Sequence, residues 1–579
     1  MTTLIPKFDL KDGGSTPTGA INRSINFKLA DTVSIKDFGA VGNGVTDDTA
    51  AIQAAINYGK DVYVPYTSAS YLVTGLTFAT QGQSFYGSGN NSLLKLANGS
   101  NKSLITVSAN YVTIRDLGMD CNKANQSTIV DSLGSGVWTT GVSNLTVLNC
   151  SISNPVRNGI ASSFSNQNCL YQDNRIANAG FIGIYNINSG FPLTNSVITG
   201  NIISSPGQDG IGTVGIQNCT ISNNTVISPV VAGISLEAAC NNTSVIGNTI
   251  KGAGVSDTSN GIQTNDSYNV SITGNSLNGL GFGTVVSGTG TNTNSISIVG
   301  NNYYQCGNND AAIEVQSATI QSPSFLSCYN PNVTISGNTI FNSPKAGILI
   351  NASSNVSVVS NQINNFATTA TSTSSNRNLG GIVFRQYSCY NIASNNSIND
   401  NASSALKIGI IEVNDGGTQP AKNIIDNNII TNLVQDICIT FSGQDQSSVL
   451  RKLGYSVAPT TYTWATGQSA YNSFPAAAGY IGWVSTSNRG GSFGSYSTTG
   501  SITSGSYNLT VASTDGIFEG MSISIVNALT ASTPLVTVVI SVNRTTKILN
   551  LVDAAGNTVT GSAVTLNNPT FKTWGVISA

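Results

Sequence analysis

The chain of 579 residues contains no histidine. That removes Ser-His-Asp and Cys-His hydrolysis, together with ordinary His-ligated metal sites. Nine cysteines are present without C-x-x-C spacing, so neither zinc nor another metal or cofactor is expected. What remains is carboxylate chemistry, or bases drawn from Lys, Arg and Tyr. Only 9% of residues are charged, and of the 26 acidic residues just four are glutamate: Glu237, Glu314, Glu412 and Glu519. The first three each follow an apolar residue in a short segment that recurs along the chain, beside Gly-Ile pairs such as Gly233-Ile234 and Gly381-Ile382.

If the isoleucines of those pairs face a core, a period-two pleat puts residues one and three later on the solvent face. Glu237 lies three after Ile234, with Leu236 inward between them, and Glu314 lies one after Ile313, with Val315 inward. Arg385 lies three after Ile382, with Phe384 inward. Glu412 reads two ways, since Ile410 inward buries it and Ile411 inward exposes it. A buried unpaired carboxylate is costly and Val413 suits a core, so Glu412 is read as outward. These residues then form one outward file on one sheet. Asp266 is one turn above Glu237, Asp209 one turn below it, and Glu412 one turn from Arg385.

Rungs of a sheet lie roughly 4.8 Å apart, so Glu237 and Glu314, three turns apart, are separated by about 14 Å. That is too far for one glycosidic bond, since a retaining glycosidase needs carboxyls ~5 Å apart and an inverting one ~6.5–9.5 Å. Glu237 with Asp266 or with Asp209 satisfies either requirement. The candidate catalytic carboxylates are therefore Glu237, Asp266, Glu314 and Glu412, with Arg385 and Asp209 as candidate substrate-binding residues. The competing reading is a solvated acidic face that keeps a weakly charged sheet soluble.

A file of this kind needs stacked strands, and the chain supplies their period. Ten tags of the form Asn-x-apolar recur, at Asn174, Asn201, Asn224, Asn248, Asn275, Asn301, Asn338, Asn361, Asn396 and Asn428. Their spacings of 27, 23, 24, 27, 26, 37, 23, 35 and 32 residues mark a solenoid whose turns bury their faces on one another. Segments such as Val270-Ser271-Ile272-Thr273 and Val333-Thr334-Ile335-Ser336 alternate with period two, and no helical period intervenes. Two or three short strands per turn give a parallel β-helix, with Asn and Gly at the left-handed corners. Asn repeated at one corner would stack as an amide ladder. The intervals 301–338, 361–396 and 396–428 imply longer corner loops, with Tyr303, Tyr304, Phe325, Tyr329, Tyr387 and Tyr390 in or beside them. The scattered cysteines are expected to be reduced, buried thiols.

The opening of the chain is more specific. Asp37-Phe38-Gly39-Ala40-Val41-Gly42-Asn43-Gly44-Val45-Thr46-Asp47-Asp48-Thr49 leads into a helical stretch through Ala50–Ile56, then into Val62-Tyr63-Val64-Pro65. This motif closely resembles the start of the pectate-lyase-like β-helix superfamily. The leader Leu4-Ile5-Pro6-Lys7-Phe8-Asp9 with Pro17–Arg23 resembles the attachment leader of bacteriophage tailspikes. The resemblance implies a right-handed, single-stranded parallel β-helix, all-β, with a small C-terminal β domain. In those terms residues 1–30 are a virion-attachment leader, 31–110 the cap and first turns, 111–445 the β-helix, and 446–579 a trimerisation or carbohydrate-binding region. Strands are expected in the last region at Asn508–Val511, Met521–Ile525, Leu535–Ile540 and Ile548–Val552.

The resemblance further implies a homotrimeric tailspike in the virion, made in a host cytoplasm and joined through its N-terminus to a phage tail, baseplate or adapter protein. It would bind and hydrolyse a bacterial surface polysaccharide, capsule or O-antigen. Two alternatives stay open on the same scaffold: a spike that binds glycan without cutting it, and a lyase or His-free esterase. A net charge of −2 argues against nucleic acid or an anionic membrane as partner, and no apolar run is long enough to insert in a bilayer.

Overall fold

The computed structural model describes residues 7–8, 21, 23–29, 31–127, 134–186, 192–254, 256–288, 294–317, 331–369, 380–400, 407–413, 420, 422–433, 435–439, 452–455, 469–472, 480–485, 497–514, 522–566 and 571–576. The chain divides into two compact units: residues 1–391, 396–420 and 430–437 form one, and 392–395, 421–429 and 438–579 the other.

The first unit is a coil of parallel strands, three to a turn. One turn consists of Thr220–Ser222, Thr225–Ile227 and Ala232–Glu237; each strand pairs in parallel with its counterpart one turn on, Asn241–Ile246, Thr249–Lys251 and Asn260–Asn265. The third strands together make a 14-stranded sheet that includes Leu76–Phe78 and runs through Ile408–Val413. Inside the coil, the apolar residue is buried in nine of the ten tags, at Ile176, Ile203, Val226, Ile250, Leu277, Tyr303, Ile340, Ile363 and Ile398.

The tag asparagines build the expected ladder, but they are not the left-handed residues themselves. That conformation falls one position earlier, on Asp173, Gly200, Asn223, Gly247, Gly274, Gly300, Gly337, Ser360 and Asn395. The asparagine that follows turns its side chain into the coil, where it is fully buried. Asn248 shows the pattern: its Nδ2 donates to the Ile221 carbonyl (2.9 Å) and to Asn275 Oδ1 (3.0 Å), while its own Oδ1 accepts from the Asn224 amide and side chain. The same Nδ2–Oδ1 bond joins Asn201 to Asn224 across 23 residues (2.9 Å) and Asn301 to Asn338 across 37 (3.0 Å).

The Gly-Ile pairs are explained by crowding. A Cβ on Gly233 would stand 2.5 Å from Ile250 Cγ2 and 2.7 Å from the Gly261 carbonyl oxygen, so only glycine lets the third strand close on the tag strand.

At the N-terminal end, the helix Thr49–Asn57 buries Ile52, Ala55 and Ile56. Asp47 Oδ1 accepts the Thr49 amide (2.9 Å), whereas Asp48 reaches back to the amides of Val41 (2.7 Å) and Gly42 (3.0 Å). Both aspartates thus hold the opening loop and the helix start.

The second unit contains a four-stranded sheet, Lys452–Tyr455, Ser469–Asn472, Tyr480–Ser485 and Phe571–Val576, and a closed six-stranded antiparallel barrel. The barrel uses the four expected segments, at Asn508–Val511, Ser522–Thr530, Thr533–Asn543 and Ile548–Leu551, and adds Ser497–Ile502 and Val559–Leu566. Its core holds Leu509, Ile523, Ile525, Leu535, Val539, Leu549, Leu551 and Val564. The alternate residues Val536, Val538 and Ile540 are exposed on its outside.

Candidate active site

The outer face of the 14-stranded sheet carries its side chains in register columns. One column runs Trp138, Ala161, Tyr185, Gly212, Ser235, Gln263, Val285, Glu314, Leu349, Val383, Ile411. Two residues further along the strands, a second column contains Val214 and Glu237, and later Asn351, Arg385 and Val413. The acidic file of the sequence is therefore divided between columns, and part of it is not on this face at all.

Glu412 is the clearest correction. Ile410 pairs with the inward Ile382 and Glu412 with the buried Phe384, so Glu412 points inward and is 2% exposed. Glu314 does lie on the outer pleat, opposite Val285 and Leu349, yet it too is only 2% exposed. Its column is already buried at Leu349, Val383 and Ile411, so the outer pleat is not a solvent face at these rungs. Arg385 is half-buried and five rungs from Glu237, or about 24 Å by rung spacing. Asp266 occupies the left-handed corner just after the strand Asn260–Asn265, and its carbonyl accepts the Ala239 amide (2.9 Å).

Asp209 and Glu237 come together. Asp209 precedes the strand Ile211–Val214, and its Oδ2 lies 3.2 Å from where a Cβ on Gly212 would stand. A Cβ at position 212 would press first on Ile182 Cδ1 (2.9 Å) and then on this carboxylate. Ser235 is opposite Gly212 on the next rung, and its Oγ donates to Glu237 Oε1 (2.9 Å). Gln263 Nε2, one rung further, donates to Ser235 Oγ (2.8 Å) and to Glu237 Oε1 (3.3 Å), and Asn260 Nδ2 steadies Gln263 Oε1 (2.6 Å). Glu237 is thus oriented by a chain of amides and a hydroxyl from the two nearest rungs.

Asp209 is in a different state. It is 7% exposed, and its Oδ1 is buried with no hydrogen-bond partner. Burial, then the charge of Glu237, push its carboxyl up to about 7 against a partly offsetting Ala232 backbone contact. Tyr185, half-buried in the same column, has its hydroxyl pushed upward by burial, then by Glu237 and Asp209, while Arg157 acts the other way. Arg157 lies over the Phe181 ring at 4.2 Å, and Phe181 meets Tyr185 edge-on at 5.9 Å. Two carboxylates, two aromatic rings and a guanidinium thus share one stretch of surface.

Tyr185, Ser235, Gln263, Arg157 and Phe181 carry no signal in the sequence that marks them as site residues. They belong to turns of different length, and only the register shows that they are neighbours. Among the described residues no group of Cys, Asp and Glu could hold a metal ion. The seven described cysteines are buried thiols outside any disulfide, and burial pushes the Cys150 thiol up to about 12.

Comparison with known proteins gives the hand of the coil and its kin. Residues 84–250 and 135–303 match the family described as right handed beta helix region. A stretch of 58 residues is 45% identical to the tail spike protein of an Escherichia phage, which amounts to 10% of this chain and 7% of that relative. A mutant tailspike protein of E. coli bacteriophage HK620, solved with a pentasaccharide, superposes with a TM-score of 0.55 at 12% identity, covering 97% of both chains. The chain carries a right-handed parallel β-helix fold. Tailspike protein 3 of bacteriophage CBA120 is also similar, with a TM-score of 0.49 at 12% identity over 81% of this chain and 69% of that one. No helix among the described residues is long and apolar enough to cross a membrane.

Proposed function

We propose that this chain is a bacteriophage tailspike that binds a bacterial surface polysaccharide, capsule or O-antigen, and hydrolyses it at Asp209 and Glu237. The observation that carries the proposal is the contrast between these two carboxyls on adjacent rungs. Asp209 is buried and holds its proton up to about pH 7. Glu237 is half-exposed and receives hydrogen bonds from Ser235 and Gln263. A buried carboxyl that keeps its proton beside a second, more exposed acidic side chain is the pairing that glycoside hydrolysis uses.

In this reading Asp209 gives its proton to the glycosidic oxygen as the bond to the anomeric carbon breaks. Glu237 either attacks that carbon or takes a proton from the water that does. Tyr185 and Phe181 offer apolar surface to the sugar rings, and Arg157 offers hydrogen-bond donors. The tailspike fold supports the assignment to a phage virion, with a leader joined to the tail and three chains in the working particle.

The test is incubation of the full-length protein with purified capsular and O-antigen polysaccharides, following polymer mass and reducing ends. Shortening with one new reducing end per cut is expected. Products that absorb ultraviolet light at a new double bond would replace hydrolysis by elimination. Tight binding with no fall in mass would leave a spike that holds glycan without cutting it. Cleavage that survives both Asp209→Asn and Glu237→Gln would remove the site.

A further inference from the structure

On the corner by which the coil enters the 14-stranded sheet is a cleft of about 520 Å³. Lys123, Asn154, Asn178, Ser205, Pro206 and Val230 are among its lining residues. Asn154, Asn178 and Ser205 are the left-handed corner residues of successive turns, so the cleft crosses several rungs. Its lining lies close to the site along the chain: Pro206 stands three residues before Asp209, and Gly180, also in the lining, stands one before Phe181. Its floor is nearly bare backbone. A Cβ on Gly180 would stand 2.0 Å from the Val156 carbonyl oxygen, and one on Gly207 would stand 2.2 Å from that of Gly180. Side chains are excluded at these two positions by the packing of the rungs.

The charged residue lining this cleft is Lys123. The exposed Lys123 donates from Nζ to the Asn178 carbonyl (2.9 Å), and among the described residues no carboxylate bridges it. Arg157 sits on the neighbouring turn, with its guanidinium over the Phe181 ring. Two cations on one corner stand out in a chain with 24 basic residues among 579. A glycan leaving the Asp209–Glu237 pair toward the lower turns would meet a bare backbone shelf, amide and hydroxyl groups, and then an ammonium.

We propose that this cleft is a further glycan subsite, and that it selects a sugar bearing an anionic group, a carboxylate in the simplest case. The inference rests on the polysaccharide reading above and gives it a substrate class: an anionic polymer, gripped at a distance from the bond being cut. An ammonium whose partner among the described residues is a carbonyl gains a charge-assisted hydrogen bond from such a ligand and nothing comparable from a neutral sugar.

The experiment uses the full-length protein and a panel of purified bacterial capsular and O-antigen polysaccharides, half carrying uronate, sialate or pyruvate groups and half uncharged. Binding is read by surface plasmon resonance and cleavage by polymer mass. The polymers bound should be anionic, and chemical reduction of their carboxyl groups to alcohols should abolish tight binding. Lys123→Met should weaken binding about tenfold, the factor that follows from losing one charge-assisted hydrogen bond. Lys123→Arg should restore most of it, and rising salt should weaken the parent more than Lys123→Met. A neutral polymer among the tight binders, or an anionic one whose affinity ignores both the substitution and salt, overturns the proposal. If anionic polymers are bound at the cleft but none is shortened, the subsite stands and the hydrolytic reading falls. If no polymer is bound, both fall.

Discussion

Asp209 keeps its proton because burial and the neighbouring charge of Glu237 both oppose ionisation. The sign of the consequence follows directly. A carboxyl raised from an unfolded value near 3.8 to about 7 stabilises the fold relative to its ionised form at low pH, and that contribution is lost as pH climbs through about 7. Hydrolysis should therefore fall away on the alkaline side of neutrality. Asp209→Asn should lower kcat by roughly 10²–10⁴-fold, the usual weight of a positioned acid, and erase that alkaline limb. The same variant should match the parent in thermal stability near pH 4 and exceed it at pH 8, because asparagine has no charge to bury. Equal melting temperatures at both pH values would show that Asp209 is not the group being ionised. Ser235 acts through Glu237: Ser235→Ala should lower kcat by roughly tenfold, the value of about one hydrogen bond, and Ser235→Thr should recover it. Only part of this is legible in the sequence. Glu237 and Asp209 follow from the Gly-Ile register, but Ile410 and Ile411 are both apolar, and a one-residue slip turns Glu412 from outward to inward. Glu314 falls on the pleat that alternation predicts, and its burial depends on long-range packing that a period of two does not contain.

At the level of the elements, the fold is legible because the coil repeats one local solution. The tag spacing marks the turn, and alternation identifies the strand. The amide ladder follows from asparagine's paired donor and acceptor. The sequence pattern puts the left-handed corner one residue too late, because the corner tolerates Gly, Asn, Asp or Ser while only the buried position demands Asn. In the barrel, Ser497–Ile502 and Val559–Leu566 are hard to read because serine, threonine and glycine dilute their alternation. Two substitutions measure how much the ladder matters. Asn248→Ala removes one acceptor and one amide from a fully buried column, stranding groups on both neighbouring turns, and should cost about 3 kcal/mol or more. The exposed Asn242 donates to Asn218 (3.1 Å) from a left-handed corner, so Asn242→Gly should cost less than about 1 kcal/mol. Denaturant titration of the two variants tests the contrast, and similar losses would show that the buried column is not the principal brace.

For the whole molecule, the tailspike reading proposed above predicts a homotrimer, and the second unit offers a surface that favours one. Val536, Val538 and Ile540 stand exposed in a row on the barrel's outer face, an apolar stripe that a lone domain would not ordinarily leave in water. Light scattering at micromolar concentration should report three chains. Truncation after Asp445, or Val538→Asp, should shift that mass toward one chain, and an unchanged trimer in both would move the association surface elsewhere. The ladder that holds the coil has an evolutionary reading as well. Since Asn301 meets Asn338 across 37 residues just as Asn201 meets Asn224 across 23, a turn's length goes unregistered by the turn stacked on it. The spine behaves as a pegboard whose pegs never move, on which corners can be lengthened, shortened or exchanged one at a time. For a spike that reads glycans, as proposed above, a change of ligand then requires new loops and no second mutation to restore the stack.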